Sequence, residues 1–240
     1  MGIEVSVTKV VTINDQHEEG VDTSIAANPT RGKTKGLPVL HVFSRNSKGG
    51  RRDDGNPLIH ALKGKRGFSI QPFWESQLLM RAANVLQKAG SELQGFDYCV
   101  PVPSSSPFCY KFANVVSHVC GAPVLNPTFV RKKYVGEVLA DAQMSPPKVR
   151  QGLKVAYTSQ LHAWEKLDPN ANYQAKDVEV ALRHLFSPFT TTGNPPDLSG
   201  KKVLIIDDLF ASGSSLLSMR GILQNGLGAT AAGVCFLSGA

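Results

Sequence analysis

The stretch from Val203 to Leu217, VLIIDDLFASGSSLL, limits what this chain can fold into more than any other. Four consecutive apolar residues, Val203 to Ile206, form the short unbroken run of a strand buried on both faces. Two carboxylates, Asp207 and Asp208, follow at once, at the end where an open α/β sheet binds its ligands. Ala211, Ser212, Gly213, Ser214 and Ser215 come next, all small, three of them with hydroxyls. Leu216, Met219, Arg220 and Leu223 then fall on one helical face, with Gly226 as a C-terminal stop. A small-residue turn entering a helix aims backbone N–H groups and the positive end of the helix dipole at one point. Such a point suits a phosphate.

Two acids beside a phosphate cradle would repel the phosphate unless they held something a few ångströms away. Sugar hydroxyls fit that need, because a carboxylate accepts strong hydrogen bonds from them. The stretch resembles the phosphoribosyl pyrophosphate (PRPP) signature of type I phosphoribosyltransferases. That signature has four apolar residues, two acids, an apolar residue, a variable one, and a Thr/Ser-rich turn around Gly. Asp207 and Asp208 match the acids, Ser212 and Gly213 the centre of the turn, and Ser215 replaces its last Thr. Ala211 departs, since a hydroxyl usually stands there.

The chain has 240 residues, 42% of them hydrophobic and 19% charged, enough for one sizeable core and too apolar for wholesale disorder. No apolar run approaches the roughly 20 residues of a membrane helix, so no membrane partner is expected. The start, MGIEVSVTKVV, lacks a secretory pattern, which makes cytoplasmic the expectation. Gly2 and Ser6 do fit the short N-myristoylation pattern, but the same residues read as a strand. Cys99, Cys109, Cys120 and Cys235 form no CxxC pair and read as reduced and structural. The net charge of +7 suits a small polyanion such as PRPP and suits nucleic acid equally. For nucleic acid, the basic loops Arg45 to Arg52 and Lys63 to Arg66 would be the contact surface.

In chain order, residues 3 to 13 alternate weakly, as an edge strand or half a hairpin. Residues 14 to 36 read as a loop, and Leu37 to Phe43 as a strand. Leu79, Ala82, Ala83 and Leu86 mark a helix after Pro72 that Gly90 ends. Asp97 to Val102 is a strand, Pro103 to Pro107 a turn, and Phe112, Val115, Val116 and Val119 a helix face closed by Gly121. Val124 to Val130 reads as another strand. Lys148 to Tyr157 and Gln160 to Leu167 suggest short helices, and Val178 to Phe186 a strand or a helix. Ala231 to Leu237 is the last strand.

LIHALKGKRG, VPVP and the C-terminal signature, in that order, resemble the ComF-like branch of the phosphoribosyltransferases, across about residues 57 to 240. Arg131 and the Leu185-Phe186 segment add to the likeness. The basic run of that branch after VPVP is replaced here by Ser and Pro. The resemblance implies an α/β, Rossmann-like, mostly parallel sheet with helices on both faces and a small N-terminal hood. It divides the chain into a hood at 1–75 and a core at 76–240, with a long loop inserted at about 132–200. The implied chemistry is displacement of pyrophosphate from C1 of PRPP by a nitrogen nucleophile, through a ribosyl cation. Asp207 and Asp208 would be catalytic, holding ribose hydroxyls and facing the positive ring. Ala211 to Ser215 would bind the 5′-phosphate, and Ser104, Ser105, Ser106 and Lys111 the pyrophosphate, with Mg²⁺ carried mainly on the pyrophosphate oxygens. A homodimer is left open, as are a base-stacking role for Phe43, Phe68, Phe73 or Trp74 and a non-catalytic, PRPP-sensing role on nucleic acid.

Overall fold

The computed structural model describes residues 1–17, 20–46 and 56–238. Lys48, Arg51 and Arg52 of the first basic loop lie outside the described residues.

In chain order the strands and helices begin with β1 (Gly2–Val5), β2 (Val10–Asn14), β3 (Gly20–Asp22), β4 (Thr30–Thr34) and β5 (Leu37–Asn46). Then come α1 (Pro57–Leu62), β6 (Ser69–Ile70), α2 (Pro72–Lys88), β7 (Tyr98–Pro101) and α3 (Phe108–Cys120). β8 (Val130–Lys132), α4 (Val135–Met144), α5 (Lys154–Trp164) and β9 (Phe189–Thr191) follow. The chain closes with β10 (Lys202–Leu209), α6 (Ser214–Gly221) and β11 (Thr230–Leu237).

The apolar run of β10 sits at the centre of the molecule because both its neighbours are parallel strands, β11 on one side and β7 on the other. β5 continues the parallel row beyond β11, and β3 and β4 add to β5 in antiparallel fashion. Successive side chains of β10 alternate between two apolar layers. Leu204 and Ile206 pack with Leu40, Val42, Val234 and Phe236 under α1, α2 and α3. Val203 and Ile205 pack with Val39, Val100 and Cys235 under α6, through Leu216, Met219 and Leu223. The α/β class and the helices on both faces follow from this layering.

The direction of the crossovers matters for function. After β7 and α3 the chain returns on the far edge of β7, where Val124 bridges Cys99 in parallel. After β10 and α6 it returns on the other side, as β11. The two helices therefore lie on opposite faces, and the strand order reverses between β7 and β10. A cleft opens beyond the carboxyl ends of two strands that diverge in this way.

Several local expectations are corrected. Residues 14 to 36 are not simply a loop, since Thr30 to Thr34 pairs residue by residue with Leu37 to His41. TRGKT has no apolar period to announce a strand; the tight turn at Lys35 and Gly36, both at positive φ, folds it back onto β5. The expected strand at Val124 to Val130 shrinks to the Val124 bridge and the start of β8. The two expected short helices become one 3₁₀ turn, Gln151–Leu153, followed by α5. The segment Val178 to Phe186 holds only the 3₁₀ turn Arg183–Leu185. The buried face of α2 is Leu78, Ala82, Val85 and Leu86, one position round from the expected stripe.

The N-terminal segment is not set apart from the sheet. β1, β2 and β6 form a small sheet of their own, but β5 lies inside the central one, with Gly233 opposite Val39 and Leu237 opposite Phe43. The stretch at 132–200 is a packed lobe in place of a loop. Val135, Val138, Trp164, Tyr173, Leu182 and Phe186 bury one another there, with Trp164 edge-on to Phe186 at 4.7 Å.

Candidate functional site

The two acids are part of β10 and point to opposite faces, as neighbours on a strand must. Asp207 lies level with Cys235 of β11, which lies level with His41 of β5, so the three share the α6 side of the sheet. Both acids are buried, not exposed at a strand tip. Asp207 Oδ1 accepts the backbone N–H of Asp208 at 2.8 Å. Burial pushes the Asp207 carboxyl up to about 7, and the Asp208 charge adds to the push.

Asp208, on the other face, is held by Lys63, with Nζ 2.7 Å from Oδ1 and side-chain exposures of 20% and 4%. Lys63 is the residue that ends α1, a short helix fixed at its start by Asn56, whose side chain accepts the Leu58 N–H. Desolvation pulls the Lys63 ammonium down, but attraction to Asp208 outweighs it and leaves the pKa raised. The chain then turns through Gly64, Arg66 and Gly67, all at positive φ, which brings Lys65 back beside Lys63. Lys132, from the end of β8, joins them. Burial lowers the pKa of both Lys65 and Lys132, and the neighbouring lysines lower them further. Cations crowded in this way favour an anion among them.

A cavity of about 260 Å³ opens at this place, beyond the ends of β7 and β10. Asp207, Asp208, Ser104, Ser105 and Ser215 line it, together with Lys63, Lys65 and Lys132. Tyr173 to Lys176 and Pro188-Phe189 also line it, so the 132–200 lobe closes one side.

The turn after β10 is built as its small residues suggest. Gly213 sits at φ 73°, where an added Cβ would meet Thr34 Oγ1 at 3.0 Å and the Phe210 ring at 3.1 Å. This places Ser214 and Ser215 at the start of α6, whose first N–H groups have no helical partner. Ser212 Oγ donates to Ser214 Oγ at 3.0 Å, and Ala211 is exposed. Ser214 itself faces a second groove of about 490 Å³ between α6 and the lobe.

Two expected pyrophosphate ligands stand elsewhere. Lys111 lies on α3 and pairs with Glu75 of α2 at 2.6 Å. Ser106 is buried, with its hydroxyl turned to the Leu62 carbonyl at 3.4 Å. Lys111 stands on the first turn of α3, where its ammonium is taken up by Glu75 of α2. The cations at the cleft are Lys63, Lys65, Lys132 and Lys176. The first two were legible as part of a basic loop, while Lys132 and Lys176 gave no signal, because the place of Lys132 depends on the long-range β8–β9 ladder and that of Lys176 on the packing of the lobe. The aromatic residues for which a base-stacking role was open pack on other rings of the chain. Phe43 is core, edge-on to Phe236, Phe73 packs on Trp74, and Phe68 stacks on His60.

These features define an α/β domain with a polar cleft at its switch point, lined by two carboxylates, serines and four lysines. No family model and no curated protein matches the chain. Among solved structures, the crystal structure of adenine phosphoribosyltransferase from Leishmania tarentolae is similar over 99% of this chain and 94% of its own. The identity is 10% and the TM-score 0.39, too distant to carry any assignment.

Proposed function

We propose that the protein is a phosphoribosyltransferase-like enzyme that binds PRPP in this cleft and passes the phosphoribosyl group to a nitrogen acceptor, releasing pyrophosphate. The observation that carries the reading is the position of Asp207 and Asp208. They lie between a glycine turn entering α6 and a cluster of four lysines, Lys63, Lys65, Lys132 and Lys176. A sugar with a phosphate at each end matches that order of donors and acceptors.

In this reading the backbone of Ala211 to Ser215 takes the 5′-phosphate. Asp207 and Asp208 accept from the ribose hydroxyls, and their negative charge faces the ring as the C1–O bond to pyrophosphate breaks. Ribose hydroxyls at Asp208 would release Lys63, which with Lys65, Lys132 and the Ser104-Ser105 turn would take the leaving pyrophosphate. Among the described residues no group of three or more His, Cys, Asp or Glu is placed to hold a metal. A magnesium ion that arrives on the pyrophosphate fits such a site, because Mg²⁺ commonly needs only one or two carboxylates besides phosphate oxygens and water. Bound there, it would neutralise the leaving group.

The test is release of pyrophosphate from PRPP and Mg²⁺ across a panel of nitrogenous bases and amines. Release that depends on one acceptor, and that is lost in Asp207→Asn/Asp208→Asn, supports the reading. Tight PRPP binding without release from any acceptor would favour a sensor in place of an enzyme.

A further inference from the structure

Cys99 and Cys120 meet outside the cleft, with their sulfurs 3.5 Å apart. Cys99 is buried in the middle of β7, and Cys120, half-buried, is the last residue of α3. The chain between them is held tightly. Gly121, at φ 75°, ends the helix with its N–H on the Ser117 carbonyl. Three residues later the backbone is clamped to Cys99 itself: the Cys99 N–H donates to the Pro123 carbonyl and its carbonyl accepts the Leu125 N–H, each at 2.9 Å. Residue 120 is therefore fixed over residue 99 by backbone bonds on both sides.

The two sulfurs differ in character. Either thiol can donate in their contact, and the Cys120 S–H also reaches the Ser117 carbonyl at 3.8 Å. With Cys99 as the donor, that contact and the Ala122 N–H lower the Cys120 pKa against the effect of burial. The negative C-terminal end of α3 works in the opposite direction, but it is less direct than a donor in contact. Cys99 is pushed far up by the same contact and by burial. Cys109 and Cys235 lie fully buried near the acid pair, and burial raises both well above an ordinary thiol. Of the four, Cys120 alone is not fully buried and so is the one a small oxidant can reach, and Cys99 is its only near sulfur among the described residues.

We propose that Cys120 and Cys99 are a peroxide-responsive thiol pair that closes to a disulfide between α3 and β7. The Cys120 thiolate attacks one oxygen of the peroxide, the O–O bond breaks, and Cys120 sulfenic acid forms as hydroxide leaves. The Cys99 sulfur then attacks the sulfenic sulfur; an S–S bond forms, the S–O bond breaks, and water leaves with the Cys99 proton. Peroxide is the two-electron oxidant and the two thiols are the reductant. The sulfurs must close from 3.5 Å to about 2 Å, which the half-buried Cys120 can supply by a small rotation. β7 runs on into the Val102 to Ser105 wall of the cleft, so the cross-link would stiffen the strand that carries that wall. The proposal stands independently of what the cleft binds.

The experiment treats the full chain with hydrogen peroxide, alkylates remaining thiols, and maps peptides by mass. The expected result is a loss of about 2 Da, one linkage between Cys99 and Cys120, and full reversal by dithiothreitol. Cys99→Ser should form no linkage and should leave a sulfenic acid on Cys120 that dimedone traps. A Cys120 that stays a thiol, that oxidises to sulfinic acid without linkage, or that links to another cysteine or another molecule would overturn the proposal. The mapping of the unmutated protein decides the matter even if the variant fails to fold.

Discussion

Asp207 holds the main energetic tension of the cleft. In the folded chain burial raises its pKa to about 7, whereas in the unfolded chain it returns to about 3.9. Between those values the folded state binds more protons than the unfolded one. The contribution of this group to stability is therefore fully present at low pH, falls as pH rises from about 4, and is lost above about 7. Asp207→Asn keeps the shape and the oxygen that accepts the Asp208 N–H. It should flatten the stability–pH curve in that window and leave the variant more stable than the parent at pH 8, by urea denaturation. An unchanged pH slope would mean that Asp207 is not the buried acid that burial makes it here. The acid pair was readable from sequence because four apolar residues and two carboxylates are contiguous. The part of Lys63 and Lys132 in the site is not legible there, because their meeting with Asp208 depends on α1 and on the antiparallel pairing of β8 with the distant β9.

At the scale of elements, the turn from β10 into α6 depends on one backbone conformation. Gly213 at φ 73° has Thr34 Oγ1 and the Phe210 ring against the position a Cβ would take. Gly213→Ala should cost about 1–2 kcal/mol from the left-handed conformation alone, with the close contacts adding to it. Equilibrium denaturation measures the loss, and a change within about 0.5 kcal/mol would mean the turn relaxes at little cost. The helices and central strands of this fold were legible where apolar residues kept a period, as in Phe112 and Val116 of α3 or Val203 to Ile206 of β10. β4 was hidden, since TRGKT shows no period and is a strand only through its ladder to β5. The lobe was hidden for a similar reason. Its core takes Val135, Val138 and Ala142 from α4 but only Trp164 as a buried residue from α5, and the rest, among them Tyr173, Leu182 and Phe186, come from chain without a period.

Across the whole molecule, the central sheet and the 132–200 lobe have separate apolar cores, and they meet at the cleft. Trp164→Ala, which empties the middle of the lobe core, should cost about 3–5 kcal/mol of lobe stability. The loss should stay local: limited proteolysis should cut between residues 135 and 186 while amides of β10 and β11 keep their exchange protection. Loss of protection throughout would mean that lobe and sheet unfold as one. PRPP binding in the cleft is tested most directly by calorimetric titration of the full chain with PRPP and Mg²⁺, beside separate titrations with ribose 5-phosphate and with pyrophosphate. One PRPP site is expected, bound more tightly than either fragment because the turn, the acids and the lysines would engage together. Asp208→Asn should weaken PRPP and ribose 5-phosphate, and Lys65→Gln should weaken PRPP and pyrophosphate. PRPP that gives no binding, or that binds with an affinity indifferent to both substitutions, would contradict PRPP binding in the cleft.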